Sequence, residues 1–206
     1  MFEIAEIIGI IAFAMSGFFV AVRKELDLLG VLIATFLTAL GGGIIRDIIA
    51  DRTPFTFTHS YPALIVLMLL FLLILFKFHR RNSLENKPLF ILSDSIGLVS
   101  FSISGALVGI EASFNLTGII SSAFITAVGG GIARDVIINE IPFVLKTGFY
   151  GTLSILIALT LFVLNEYHLI SFISLAIVFF IALNIRLIAY SKSWSIPHPN
   201  PLKTKF

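Results

Sequence analysis

Cysteine is absent from the 206-residue chain. Disulfides, thiolate catalysis and cysteine-ligated metals are therefore excluded. Charge is scarce as well: charged residues make up 13% of the sequence, against about 25% in soluble domains. The net charge is only +2 and the basic residues gather at the ends of apolar runs, so nucleic-acid binding is not expected. The four histidines, His59, His79, His168 and His198, fall at the ends of apolar runs or in the tail. With no nucleophile–base pair and no ligand cluster, neither enzyme activity nor a metal or other cofactor is expected. The start, MFEIAEIIG, carries acidic residues and no basic region, so a cleaved signal peptide is not expected.

What the chain has instead is apolar length. Hydrophobic residues reach 58% and the mean hydropathy is +1.05, which describes an integral membrane protein. Seven stretches approach the roughly 20 apolar residues needed to span a bilayer: about 3–22, 28–50, 61–79, 89–110, 115–138, 146–165 and 168–190. Residues 1–190 then form one all-α transmembrane domain, and the Pro-rich, basic tail 191–206 is expected to be disordered. Arg23 and Lys24, then Lys77, Arg80, Arg81 and Lys87, then Lys146, then Lys192, Lys203 and Lys205 lie at one set of span ends; Arg52 stands nearly alone at the other. The positive-inside rule places the N-terminus outside and the C-terminus in the cytoplasm.

The chain is organised around a stretch that occurs twice: TALGGGIIRDII from Thr38 to Ile49, and TAVGGGIARDVI from Thr126 to Ile137. A shift of 88 residues, without a gap, aligns more than this motif. Glu6 falls on Asp94, Gly9 on Gly97, Phe13 on Phe101, and Ser16 and Gly17 on Ser104 and Gly105. Gly30 falls on Gly118, and Pro54 and Phe55 on Pro142 and Phe143; about four positions in ten between Gly9 and Phe55 are identical. Each unit, about 1–80 and about 89–165, holds three spans. An odd number obliges the second copy to enter the membrane upside down, giving an inverted 3+3 repeat with a seventh helix, about 168–190, outside it.

Gly41, Gly42 and Gly43, and likewise Gly129, Gly130 and Gly131, admit two readings. Small residues let membrane helices pack closely; alternatively, three glycines break the helix and turn its carbonyls toward a water-filled path. Their doubling, each time before Arg-Asp, favours the break. A phosphate loop is excluded, since no Lys-Ser/Thr follows. Arg46 and Asp47, and Arg134 and Asp135, are adjacent and so point about 100° apart on a helix; each is expected to find its own partner. Depth pairs Glu6 with Arg46 and Asp94 with Arg134, directly or through water. Ser16, Ser104, Thr38 and Thr126 either line a pore or bond the i−4 carbonyl of their own helix. Ser93, Ser95, Ser100 and Ser102 add a polar stripe to the fourth span, and Pro54 and Pro142 read as the starts of the segments that follow.

Two GGGxxRD motifs, Gly41–Asp47 and Gly129–Asp135, on inverted three-helix repeats with a seventh helix resemble the prokaryotic branch of the trimeric intracellular cation (TRIC) channel family. The resemblance covers nearly the whole chain except the tail. It implies a homotrimer in the cell (inner) membrane, surrounded by lipid, with one pore per protomer, passing potassium and sodium ions passively. The animal members carry Lys-Glu-Val on the second helix and bind a phosphoinositide; Ile45, Arg46 and Asp47 stand here, so that lipid's role does not carry over. Some bacterial relatives are linked to glycine uptake, which leaves a carrier of glycine or another small amino acid as the alternative.

Overall fold

The computed structural model describes residues 2–78, 83–146 and 149–194, excluding the side chains of 83–87 and 146. Arg80, Arg81 and Lys87 of the orientation argument, His79, His198 and the tail beyond 194 lie outside the described residues or side chains. Among those described, helices run in the order α1 Phe2–Arg23, α2 Leu28–Ile49, α3 Phe55–Thr58, α4 Tyr61–Leu75, α5 Ser83–Glu111, α6 Leu116–Ile137, α7 Phe143–Lys146, α8 Gly151–Glu166 and α9 Phe172–Ser191. The protein is all-helical, and α1, α2, α5, α6 and α9 are long and apolar enough to cross a membrane.

Two expected spans are shorter than their apolar runs. The helix expected over 61–79 ends at Leu75, just before Lys77 takes a left-handed φ of 57°. The span expected from 146 starts at Gly151, because Pro142 first opens the separate turn α7. Pro54 opens α3 in the same way. The two prolines therefore start short helices of four residues each, not the following spans.

Local chemistry sets the long helices. Asp27 caps α2 by accepting a hydrogen bond from the Gly30 N–H at 2.7 Å, and Asn115 caps α6 from the Gly118 N–H at 2.9 Å. Such caps satisfy backbone donors that a helix start leaves unpaired. Glu25 and Ser113, and then Asp51 and Asn139, take left-handed φ values of 53–57° at the reversals. The members of each pair are 88 residues apart.

The core is built from α1, α2, α5 and α6. Phe13 and Phe101 meet edge to face at 5.1 Å. Gly97 makes room for the Phe13 ring and Gly9 for the Phe101 ring. Contacts join the start of α1 to the end of α5 (Glu6 with Ser104) and later α1 to early α5 (Ser16 with Asp94), so the two helices run antiparallel. Helices α2 and α6 touch through their glycines. A Cβ on Gly42 would strike the Thr126 carbonyl oxygen, one on Gly130 the carbonyl oxygens of Thr38 and Leu37, and one on Gly41 would lie 3.3 Å from Gly130 Cα.

The break expected at the glycines is absent: α2 and α6 are continuous through Gly41–Gly43 and Gly129–Gly131. A broken helix within an apolar layer would leave backbone groups unsatisfied. Close approach uses the missing side chains while keeping those hydrogen bonds.

Polarity is arranged opposite to that of a soluble protein. Met68, Phe71, Phe172, Ile173 and Phe180 are exposed, while Glu6, Arg46, Asp47, Asp94, Arg134, Asp135 and Arg186 are buried. Lipid suits such an exterior, and function is the usual reason for such an interior.

Candidate functional site

The buried charges form two clusters. The first is centred on Arg46, near the end of α2 and 1% exposed. Its Nη1 and Nη2 donate to Glu6 Oε2 and Oε1 at 2.7 and 3.2 Å, a two-pronged guanidinium–carboxylate pair. Nη1 also donates to Ser104 Oγ at 2.6 Å, and the Ser104 hydroxyl donates in turn to Glu6 Oε2 at 2.5 Å. Nε donates to Asp47 Oδ1 at 2.8 Å. Asp47 then accepts from Arg52 Nε at 2.8 Å and from the Phe55 N–H at 2.8 Å. Arg46 and Arg52 both lie over the ring of Phe2, at 5.0 and 5.1 Å. The expected Glu6–Arg46 contact is made directly.

The second cluster is looser. Arg134 Nε and Nη2 both reach Asp135 Oδ1 at 2.8 Å, and the Phe143 N–H donates to Asp135 Oδ2 at 2.8 Å. Arg134 Nη1 has no hydrogen-bond partner. Asp94 accepts from Ser16 Oγ at 3.2 Å. The expected direct Asp94–Arg134 pair is not made among the described residues. The Arg134 fork is turned onto its neighbour Asp135, and the Ser16 hydroxyl has taken Asp94. Both line one cavity of about 10 Å³, with Thr38, Gly131, Asp135 and Tyr150. That is room for about one water.

Two further expectations change. Each arginine and the aspartate after it bond to each other, so adjacency on a helix does not separate them: the long guanidinium stem bends back over its neighbour. Thr38 and Thr126 donate to the carbonyls of Ala34 and Ser122, each at 2.6 Å, so their protons are spent within their own helices. Ser16 and Ser104 instead bond carboxylates across the α1–α5 contact. In the fourth-span stripe, Ser93 and Ser102 bond their own helix, whereas Ser95 and Ser100 leave their hydroxyls unpaired.

Sequence reasoning used Arg52 only for orientation and passed over Tyr150 and Arg186. Arg186, on α9, is 2% exposed. Its guanidinium stacks on the Tyr150 ring at 4.7 Å, its Nη1 makes only a long contact of 3.5 Å to the Phe149 carbonyl, and its Nε is unpartnered. An arginine inside an apolar span is itself a signal. Among the described residues no group of His, Cys, Asp or Glu could hold a metal ion.

The chain is similar to known proteins in sequence and in fold. A family model described as Glycine transporter matches residues 3–80 and 91–166. The UPF0126 membrane protein YvgT of Bacillus subtilis is 35% identical over 196 residues, 95% of each chain. The UPF0126 inner membrane protein YadS of Escherichia coli is 34% identical over 155 residues, 73% of this chain and 72% of that one. A solved structure from work on conductance through TRIC cation channels superposes with a TM-score of 0.83 at 36% identity, covering 97% of this chain and 98% of that one. With a family model matching both halves and relatives and a fold matching nearly the whole chain, the chain belongs to the prokaryotic branch of the TRIC channel family, with UPF0126 membrane proteins among its relatives.

Proposed function

We propose that the protein is a monovalent-cation channel, permeable to potassium and sodium. In this reading it crosses the prokaryotic inner membrane seven times, with its N-terminus outside and its C-terminus in the cytoplasm. The two halves form an inverted repeat, the path runs between them, and three copies assemble with one pore each and lipid around them. Its likeness to TRIC cation channels supports the ion class. The name of the Escherichia coli relative supports the location.

The observation that carries this reading is the pair of buried clusters at residues 88 apart, set near opposite ends of an antiparallel α1–α5 core. Glu6, Asp47, Asp94 and Asp135 offset the arginines, and the acceptor oxygens of Ser16, Ser104, Thr38 and Thr126 are available to a passing cation. Conduction requires α2 and α6 to part, because Phe13 and Phe101 meet at the centre and the glycines bring the backbones together. The arginines then act as tethered barriers at the two ends.

A glycine carrier is the second reading. The family description favours it, and so does one cavity with an unpaired Arg134 guanidinium nitrogen and the Asp94 carboxylate, suited to a carboxylate and an ammonium. That cavity takes about one water, so glycine needs another conformation. Purified protein in a planar bilayer under asymmetric potassium chloride separates the two. Discrete current steps reversing toward the potassium potential are expected. A silent bilayer, with saturable glycine uptake into liposomes from the same preparation, would overturn the channel.

A further inference from the structure

The two clusters carry the same charges from different sources. In the first, Asp47 is shared by Arg46 and by Arg52, which follows α2 in the same half of the chain. The residue 88 positions after Arg52 is Glu140. It is engaged by Lys24 and offers nothing to Asp135. Among the described side chains, the second cluster, Arg134, Asp135 and Asp94, is left with one cation for two carboxylates. A further buried cation at that end is Arg186, and it comes from α9, outside the repeated part of the chain.

Arg186 is buried as deeply as Arg46, yet no carboxylate lies within ion-pair distance of it among the described residues. A buried guanidinium without a counter-charge is strongly disfavoured. Its platform is the Tyr150 ring, and Tyr150 and Asp94 line the same cavity. Asp94 lies on the cavity and Arg186 behind Tyr150, which is part of the cavity wall.

We propose that Arg186 is a positioning residue of the cation path, setting the charge that Asp94 presents at the second cluster, so that α9 is part of that end of the pathway and not a lipid-facing addition. The proposal rests on the channel reading. Arg186 does for Asp94 from a distance what direct contact with Arg46 does for Glu6. No guanidinium touches Asp94 directly, so the second cluster is the end whose charge is most easily changed.

The test is single-channel recording of the full chain in symmetric and asymmetric potassium chloride. Arg186→Gln is expected to raise the potassium-to-chloride permeability ratio by about two- to tenfold, the low end of electrostatic focusing. It is also expected to bend the current–voltage relation of each channel, because only one end has changed. Arg186→Lys should keep both close to wild type, and Arg186→Gln with Asp94→Asn should return both toward it. A structural role alone would lower yield or stability and leave ratio and curvature unmoved. Wild-type ratio and curvature in Arg186→Gln, or the same change when Asp94 is already Asn, would overturn the proposal. Should Arg186→Gln not assemble, Asp94→Asn alone is expected to lower the ratio, and an unchanged ratio would count against the proposal equally. A silent wild-type bilayer would overturn the channel reading and this inference with it; a conducting wild type with an indifferent Arg186 overturns this inference alone.

Discussion

Arg46 and Arg134 are equivalent in sequence and differ in what surrounds them. Arg46 is held by Glu6, Ser104 and Asp47, whereas Arg134 holds Asp135 alone and leaves Nη1 unpaired. Their removal should therefore differ in consequence. Arg46→Ala strands the buried Glu6 carboxylate without its cation, a loss of about 3–5 kcal/mol. Arg134→Ala breaks one carboxylate contact where Arg46→Ala breaks two, and leaves Asp135 its Phe143 N–H, so a loss at the low end of that range, about 3 kcal/mol, is expected. Thermal unfolding of the detergent-solubilised protein should rank the two variants in that order; equal losses would mean that the Glu6 contact contributes little. The Glu6–Arg46 pair was legible in the sequence because both residues lie near the same end of neighbouring spans. Its supposed twin was not. The 88-residue shift equates Asp94 with Glu6, but the exchange of Arg52 for Glu140 and the arrival of Arg186 lie outside what a repeat can report.

At the scale of the helix, the glycine triplet is three different positions. Gly42 and Gly130 face backbone carbonyls of the opposite helix, which cannot turn aside. Gly131 has only the end of the Arg134 side chain nearby, 3.9 Å from where a Cβ would stand. Gly42→Ala and Gly130→Ala should each destabilise the α2–α6 contact by about 1–3 kcal/mol, the range for overpacking. Gly131→Ala should be neutral or slightly stabilising, since alanine favours the helix by up to about 1 kcal/mol. Melting temperatures of the three variants check this; a uniform response would remove the close-approach account and reopen the helix break. Apolar run length placed the long helices, overextending two of them, and the triplet marked the contact. It could not choose between break and contact, because both need the same residues and only the opposite helix decides. The short helices α3 and α7 were illegible for a related reason. Asp47 and Asp135 accept from the Phe55 and Phe143 N–H groups eight positions later, a pairing that requires the chain to turn back.

Across the whole molecule, surface ion pairs stand at equivalent places with their signs exchanged. Lys24, after α1, engages Glu140, after α6. Arg52, after α2, approaches Glu111, at the end of α5, at 3.7 Å. Under the 88-residue shift Arg52 becomes Glu140, and Arg23, beside Lys24, becomes Glu111. Exposed pairs of this kind add little stability, so stability does not explain the exchange. Topology accounts for the Arg23–Glu111 exchange: if equivalent ends of the two halves lie on opposite faces of the membrane, the positive-inside bias demands a basic residue at the inner one and not at the outer; Arg52 and Glu140 run against that bias and follow their partners, Asp47 and Lys24. The absence of cysteine makes this directly testable. Thr53 and Ile141 are exposed, lie 88 residues apart and flank no buried charge directly. In intact cells, Thr53→Cys should react with a membrane-impermeant maleimide, and Ile141→Cys should react only after permeabilisation. Labelling of both from the same side would remove the inverted repeat. The reverse pattern would keep the repeat and turn the protein over, exchanging which compartment meets the tightly paired Arg46 and which meets Arg134, Asp94 and Arg186.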